Sequence, residues 1–86
     1  MVGRERIAVN LRRIRSEQGV TQEVLAVDAG VDRTYVSGIE RGQFNPTIDL
    51  LDRLAGALGV DVSKLVEMPA DGSVKPENLK RGRKPS

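Results

Sequence analysis

The feature that most limits how this chain can fold is its punctuation. Four glycines, Gly19, Gly30, Gly42 and Gly59, each follow a segment whose apolar residues recur at helical spacing. A glycine in that place fits the left-handed position just past a helix end, which a residue with a Cβ avoids. Three segments then open on a capping residue set inside an apolar pair. Thr21 has Val20 before it and Leu25 four residues on; Asp32 has Val31 and Val36 in those places, and Asp61 has Val60 and Leu65. A residue before the cap that packs on the fourth helical residue is a hydrophobic staple. Three staples at one spacing argue for three helix starts. Thr47, after Asn45-Pro46, caps a fourth segment without a staple.

These signals predict five helices, over about 4–18, 22–29, 33–41, 48–58 and 62–67. Ile7, Leu11 and Ile14 lie along one stripe of the first. The connecting loops are short enough to demand close packing, and no segment keeps a strand period for long. The expected fold class is therefore all-α, a compact five-helix bundle containing a helix-turn-helix. Residues 1–68 are expected to form that domain. From Pro69 the pattern dissolves into PADGSVKPENLKRGRKPS, which reads as a flexible basic tail over residues 69–86.

Composition narrows the chemistry. A chain of 86 residues holds one domain at most. Aromatic residues are 2%, so the core must be aliphatic. The chain has no cysteine and no histidine, which removes disulfides, thiolate nucleophiles, imidazole bases and nearly every zinc site. Without those groups or a phosphate-cradling glycine loop, no enzyme is expected, and neither is a cofactor or a metal. MVGRERIAVN lacks an apolar stretch of signal length, and no run approaches the roughly 20 apolar residues of a membrane helix. A cytoplasmic protein with no membrane partner is expected. Residues 1–68 carry nine basic and ten acidic groups, whereas residues 69–86 carry five basic and two acidic ones. The overall charge of +2 is thus a property of the tail. A nucleic-acid reading of the folded part must rest on where its arginines sit.

The central pair of helices, joined through Gly30-Val31-Asp32, has the helix-turn-helix form. On a helical wheel Tyr35, Val36 and Ile39 face the core. Arg33, Thr34, Ser37, Gly38 and Arg41 form the opposite stripe, which contains no acid. Arginines and small hydroxyls suit a major groove, where Arg bonds guanine and Thr or Ser meets base edges or phosphates. Gly38 is the anomaly, because an interior glycine costs a helix about 1 kcal/mol relative to alanine. Close approach to DNA would explain it. A plain solvated surface is the alternative.

The segment TQEVLAVDAGVDRTYVSGIERGQFNPTIDLLDRLAGALGV resembles the Cro/phage-repressor (XRE-type) helix-turn-helix family. DRTYVSGIERG followed by NPT is most similar to the controller proteins of restriction–modification systems. The resemblance covers residues 5–67 and implies a homodimer on double-stranded operator DNA, with the helix after Gly30 in the major groove. It implies that Gln22 grips a phosphate, that Arg33 and Thr34 reach bases, and that Tyr35, Ser37, Arg41 and Asn45 contact bases or backbone. It also implies a salt bridge at the edge of the core between Arg15 and Glu40. A solvated helix face accounts for Arg12 and Arg13 as well as DNA does, and the helix dipole alone favours Arg41 where it stands.

The fourth helix spreads apolar residues over about 180° of arc, where packing on one core needs little more than about 100°. The surplus points to a twofold partner, with Leu54, Leu58, Leu65, Val66 and Met68 as expected interface residues. The tail holds Arg81-Gly82-Arg83 before a proline and resembles an AT-hook, with Lys84 intervening. On that resemblance Arg81 and Arg83 would lie in an A·T-rich minor groove. A tail that only binds phosphates, or only keeps the protein soluble, explains the same residues. The expected function is a sequence-specific transcriptional regulator, a repressor or an activator, binding a pseudo-palindromic operator. The alternatives are the antitoxin of a toxin–antitoxin pair and a protein-binding adaptor, and the acid-free stripe argues against the adaptor.

Overall fold

The computed structural model describes residues 3–69. Five helices follow in order: α1 (Gly3–Glu17), α2 (Gln22–Ala29), α3 (Arg33–Glu40), α4 (Ile48–Leu58) and α5 (Ser63–Val66). Among the described residues there is no strand. The all-α expectation holds, and so do the starts of α2, α3 and α4. Cap chemistry sets those starts. Thr21 Oγ1 accepts from the Val24 N–H at 3.1 Å, Asp32 Oδ1 from Thr34 at 3.3 Å, and Thr47 Oγ1 from Leu50 at 3.1 Å.

The stops are equally local. Gly19, Gly30, Gly42 and Gly59 all have φ between 69° and 73°. The residue after each donates back to the carbonyl five positions earlier: Val20 to Arg15, Val31 to Ala26, Gln43 to Gly38 and Val60 to Ala55, at 2.9–3.1 Å. That 6→1 bond is the Schellman closure. Val20, Val31 and Val60 also pack against the core. Val20 and Val31 therefore each close one helix and stand directly before the cap of the next, in the staple position. Val60 closes α4, but the third expected staple does not form at its expected place, because the cap of α5 is Val62 and not Asp61. Gly42 is the exception, because Gln43 follows it and the chain runs on through an irregular loop to Thr47. Toward the C-terminus the expected helix shortens to α5. Asp61 Oδ2 takes the Ser63 N–H at 2.9 Å, so Val62 falls inside the turn rather than in the helix.

The core is aliphatic and reaches every helix: Leu11 and Ile14 from α1, Leu25 from α2, Val36 and Ile39 from α3, Leu51, Leu54 and Leu58 from α4, and Leu65 from α5. This corrects the interface expected from α4. Leu54, Leu58 and Leu65 are closed inside the protomer and have no surface to offer a partner. Most of the wide apolar arc of α4 is covered by α2 and α5, which both pack on it. Ile48, Val66 and Met68 are the apolar residues left exposed in this region.

Side chains of α1 hold α5 in place. The fully buried Asn10 donates from Nδ2 to the carbonyls of Leu65 at 3.0 Å and Glu67 at 2.8 Å. Arg6 Nη1 donates to the Val66 carbonyl at 3.2 Å. Gln18 Nε2 likewise reaches the last carbonyl of α4, on Leu58, at 2.7 Å. Carbonyls at helix ends have no partner within the helix, and these side chains supply one.

Candidate nucleic-acid interface

Gly30 turns the chain so that α3 packs across both α2 and α1. Val36 and Ile39 face inward, while Arg33, Thr34 and Arg41 stand exposed and Ser37 is half-buried. Asn45, in the loop after α3, is exposed as well. Arg41 lies on the surface with Nη1 donating to Ser37 Oγ and Nε and Nη2 donating to Gln43 Oε1 at 3.3 and 3.1 Å. The Ser37 hydroxyl and the Arg41 guanidinium thus form one polar strip, with Arg33 and Thr34 in the first turn ahead of it.

Two residues do not sit where the wheel put them. Tyr35, assigned to the core, is 37% exposed. Gly38, assigned to the outward stripe, is buried. Phe44 packs against both. Its ring lies over Gly38 so closely that a Cβ there would overlap its edge, with Cζ at 2.8 Å. Tyr35, one turn earlier on α3, packs its ring against Phe44, with centroids 5.0 Å apart and planes at 48°. The missing side chain of Gly38 is therefore a notch for Phe44. The expectation that Gly38 lets the helix approach DNA is corrected accordingly. Tyr35 stands partly in solvent with one contact on the Phe44 ring. Phe44 was not singled out in the sequence, although it is the chain's only phenylalanine and falls on the one loop without a staple.

The end of α3 carries its only carboxylate, and that group is turned inward. Glu40 is 3% exposed and Arg15 17%. Arg15 Nε and Nη2 meet the two oxygens of Glu40 at 2.6 and 3.0 Å, and Arg15 Nη1 holds the Val20 carbonyl at 2.8 Å. The bond to Glu40 raises the pKa of the Arg15 guanidinium above its ordinary value, against the opposing effect of burial. A paired arginine and carboxylate of this geometry is the strong form of ion pair. The salt bridge implied by the family resemblance is thus present. Two further donors gather on the same residue. Gln22 Nε2 reaches Glu40 Oε1 at 3.0 Å, and Arg12 Nη1 reaches the Glu40 carbonyl at 3.0 Å. Neither bond was foreseen. Gln22, expected to hold a phosphate, is half-buried with one amide proton already engaged.

Arg81 and Arg83 lie outside the described residues. Among the described residues no group of three or more His, Cys, Asp or Glu is placed to hold a metal, and no described helix is long and apolar enough to cross a membrane.

Comparison with known proteins gives the same account of the fold. A helix-turn-helix family model matches residues 11–65. The immunity repressor protein of Bacillus phage phi105 is 40% identical over 60 residues, which is 70% of this chain and 42% of the repressor. The chain thus spans less than half the length of that relative. Control protein C.BamHI of Bacillus amyloliquefaciens is 38% identical over 64 residues, covering 73% of this chain and 79% of that protein. Among solved structures, the restriction–modification controller protein C.AhdI of Aeromonas hydrophila superposes with a TM-score of 0.71 at 39% identity, covering 72% of this chain and 94% of that one. The chain therefore belongs to the XRE-type helix-turn-helix family, alongside phage repressors and restriction–modification controller proteins.

Proposed function

We propose that the protein is a transcriptional regulator that binds a pseudo-palindromic operator as a homodimer, with α3 in the major groove. One observation carries this reading. The outer face of α3 and the residue after it presents Arg33, Thr34, Ser37 and Arg41 with no exposed acid among them, because the helix's single acid, Glu40, is buried on Arg15. An exposed carboxylate in that stripe would repel a phosphate backbone; a neutralised one does not. Arg33 and Thr34, in the first turn, are the base-reading residues, and Ser37, Arg41 and Asn45 meet bases or phosphates beyond them. Tyr35, packed on the Phe44 ring, presents its hydroxyl to the backbone, and Gln22 at the start of α2 holds a phosphate. The names of the relatives, control proteins and repressors among them, agree with this role. The exposed Val66, Met68 and Ile48 form the surface for a second copy.

Footprinting on an operator selected from random DNA tests the reading. Two half-sites one helical turn apart, roughly 34 Å from centre to centre, are expected. A single short protected site bound by one protomer would overturn the dimeric form of the proposal.

A further inference from the structure

We infer that Glu40 is a positioning residue for the DNA-backbone contact, orienting the Gln22 amide so that a phosphate meets a fixed N–H donor. This inference rests on the reading of Gln22 as a phosphate contact. Gln22 is the first residue of α2, directly after the cap Thr21, whose hydroxyl takes the Val24 N–H. The N–H groups of Gln22 and Glu23 precede that bond and have no acceptor within the helix, so this end of α2 carries the positive pole of the helix. A glutamine side chain there is ambiguous by itself. Its amide can present either its oxygen, which repels a phosphate, or its NH2 group, which binds one.

The structure removes the ambiguity. Gln22 Nε2 lies 3.0 Å from Glu40 Oε1. The flipped amide would set a carbonyl oxygen against a carboxylate oxygen, two acceptors with no proton between them. The NH2 group is therefore held on the Glu40 side, and one of its two protons is used there. The other remains for a ligand. Glu40 can do this beside a polyanion only because Arg15 binds both of its oxygens, at 2.6 and 3.0 Å, and cancels its charge. It is itself fixed, being 3% exposed and held through its carbonyl by Arg12 at 3.0 Å. Because Glu40 is the last residue of α3, the arrangement ties the grip on the backbone to the helix that reads the bases. The register between the two is then set inside the protein before DNA arrives.

The test is a mutant cycle on the full chain, with a random-sequence duplex as probe, since a phosphate contact does not depend on sequence. Arg15→Met with Glu40→Met removes both charges at once, leaves the net charge unchanged and replaces a buried ion pair by apolar volume, a change proteins often tolerate. Gln22→Ala in the natural chain is expected to weaken binding roughly tenfold, the scale of one hydrogen bond to a charged group. In the Arg15→Met/Glu40→Met background the same substitution should cost less than about twofold, because the amide is no longer aimed. An equal loss in both backgrounds would overturn the inference while leaving the DNA reading intact. Absence of DNA binding by the natural chain would instead overturn the reading itself. A second measurement needs no variant. In NMR spectra of the natural chain, one Gln22 side-chain proton should keep its shift when duplex is added while the other moves. Two protons that move together would contradict a fixed amide.

Discussion

Phe44, past the turn at Gly42, lays its ring where a Cβ on Gly38 would stand. Gly38→Ala should consequently destabilise the fold. Overpacking costs about 1–3 kcal/mol, and the better helix propensity of alanine offsets at most about 1 kcal/mol of it. Each net 1 kcal/mol lowers the melting temperature by roughly 4–8 °C in a domain this small. Combining the substitution with Phe44→Ala should remove most of its cost, a coupling that thermal melts of the four chains will reveal. A Gly38→Ala chain that melts higher than the natural one would show that Phe44 does not fill the notch. The anomaly was legible in the sequence, but its cause was not.

At the scale of the helices, legibility follows the range of the interactions. Glycine stops, caps and staples join residues at most five positions apart, and they mark the boundaries of α2 and α4 directly. The clamp between α1 and α5 spans 55 residues from Asn10 to Leu65 and leaves no local signature. The apolar arc of α4 was visible, but most of its width is taken up within the protomer by α2 and α5, which leaves Ile48 exposed. The Arg15–Glu40 pair, 25 residues apart, came from family resemblance and not from spacing. Asn10→Leu tests the clamp. It keeps the branched shape of the side chain with somewhat larger groups and leaves the buried Leu65 carbonyl without its partner, at a cost of about 1–3 kcal/mol. Backbone amides of α5 should then exchange with solvent faster than those of α2 and α4. Uniform exchange throughout would mean that α5 does not depend on Asn10.

For the whole molecule, the burial pattern separates folding from the proposed assembly. Met68→Glu and Val66→Glu alter exposed side chains, so each protomer should stay folded while sedimentation shows a weaker dimer. Leu54→Glu, which puts a charge in the core, should unfold the protomer outright. A dimer that survives both surface changes would place the partner elsewhere. Charge is divided as unevenly as packing. Removing residues 70–86 deletes five basic groups and two acidic ones, so DNA affinity should fall mainly through its electrostatic part. The slope of log affinity against log salt should flatten by about 0.9 for every phosphate that the shortened chain no longer neutralises. If Arg81 and Arg83 enter a minor groove, the loss of affinity should be larger on A·T-rich flanks than on G·C-rich ones.

On the proposed reading α3 recognises base sequence through Arg33, which stays outside while Glu40 turns in. The decisive substitution is Arg33→Ala, measured by titration on the selected operator and on an unrelated duplex at one salt concentration. The expected loss is about 1–3 kcal/mol on the operator, with affinity for the unrelated duplex nearly unchanged. Equal losses on the two duplexes would make Arg33 a phosphate contact, and no loss on either would remove α3 from the interface.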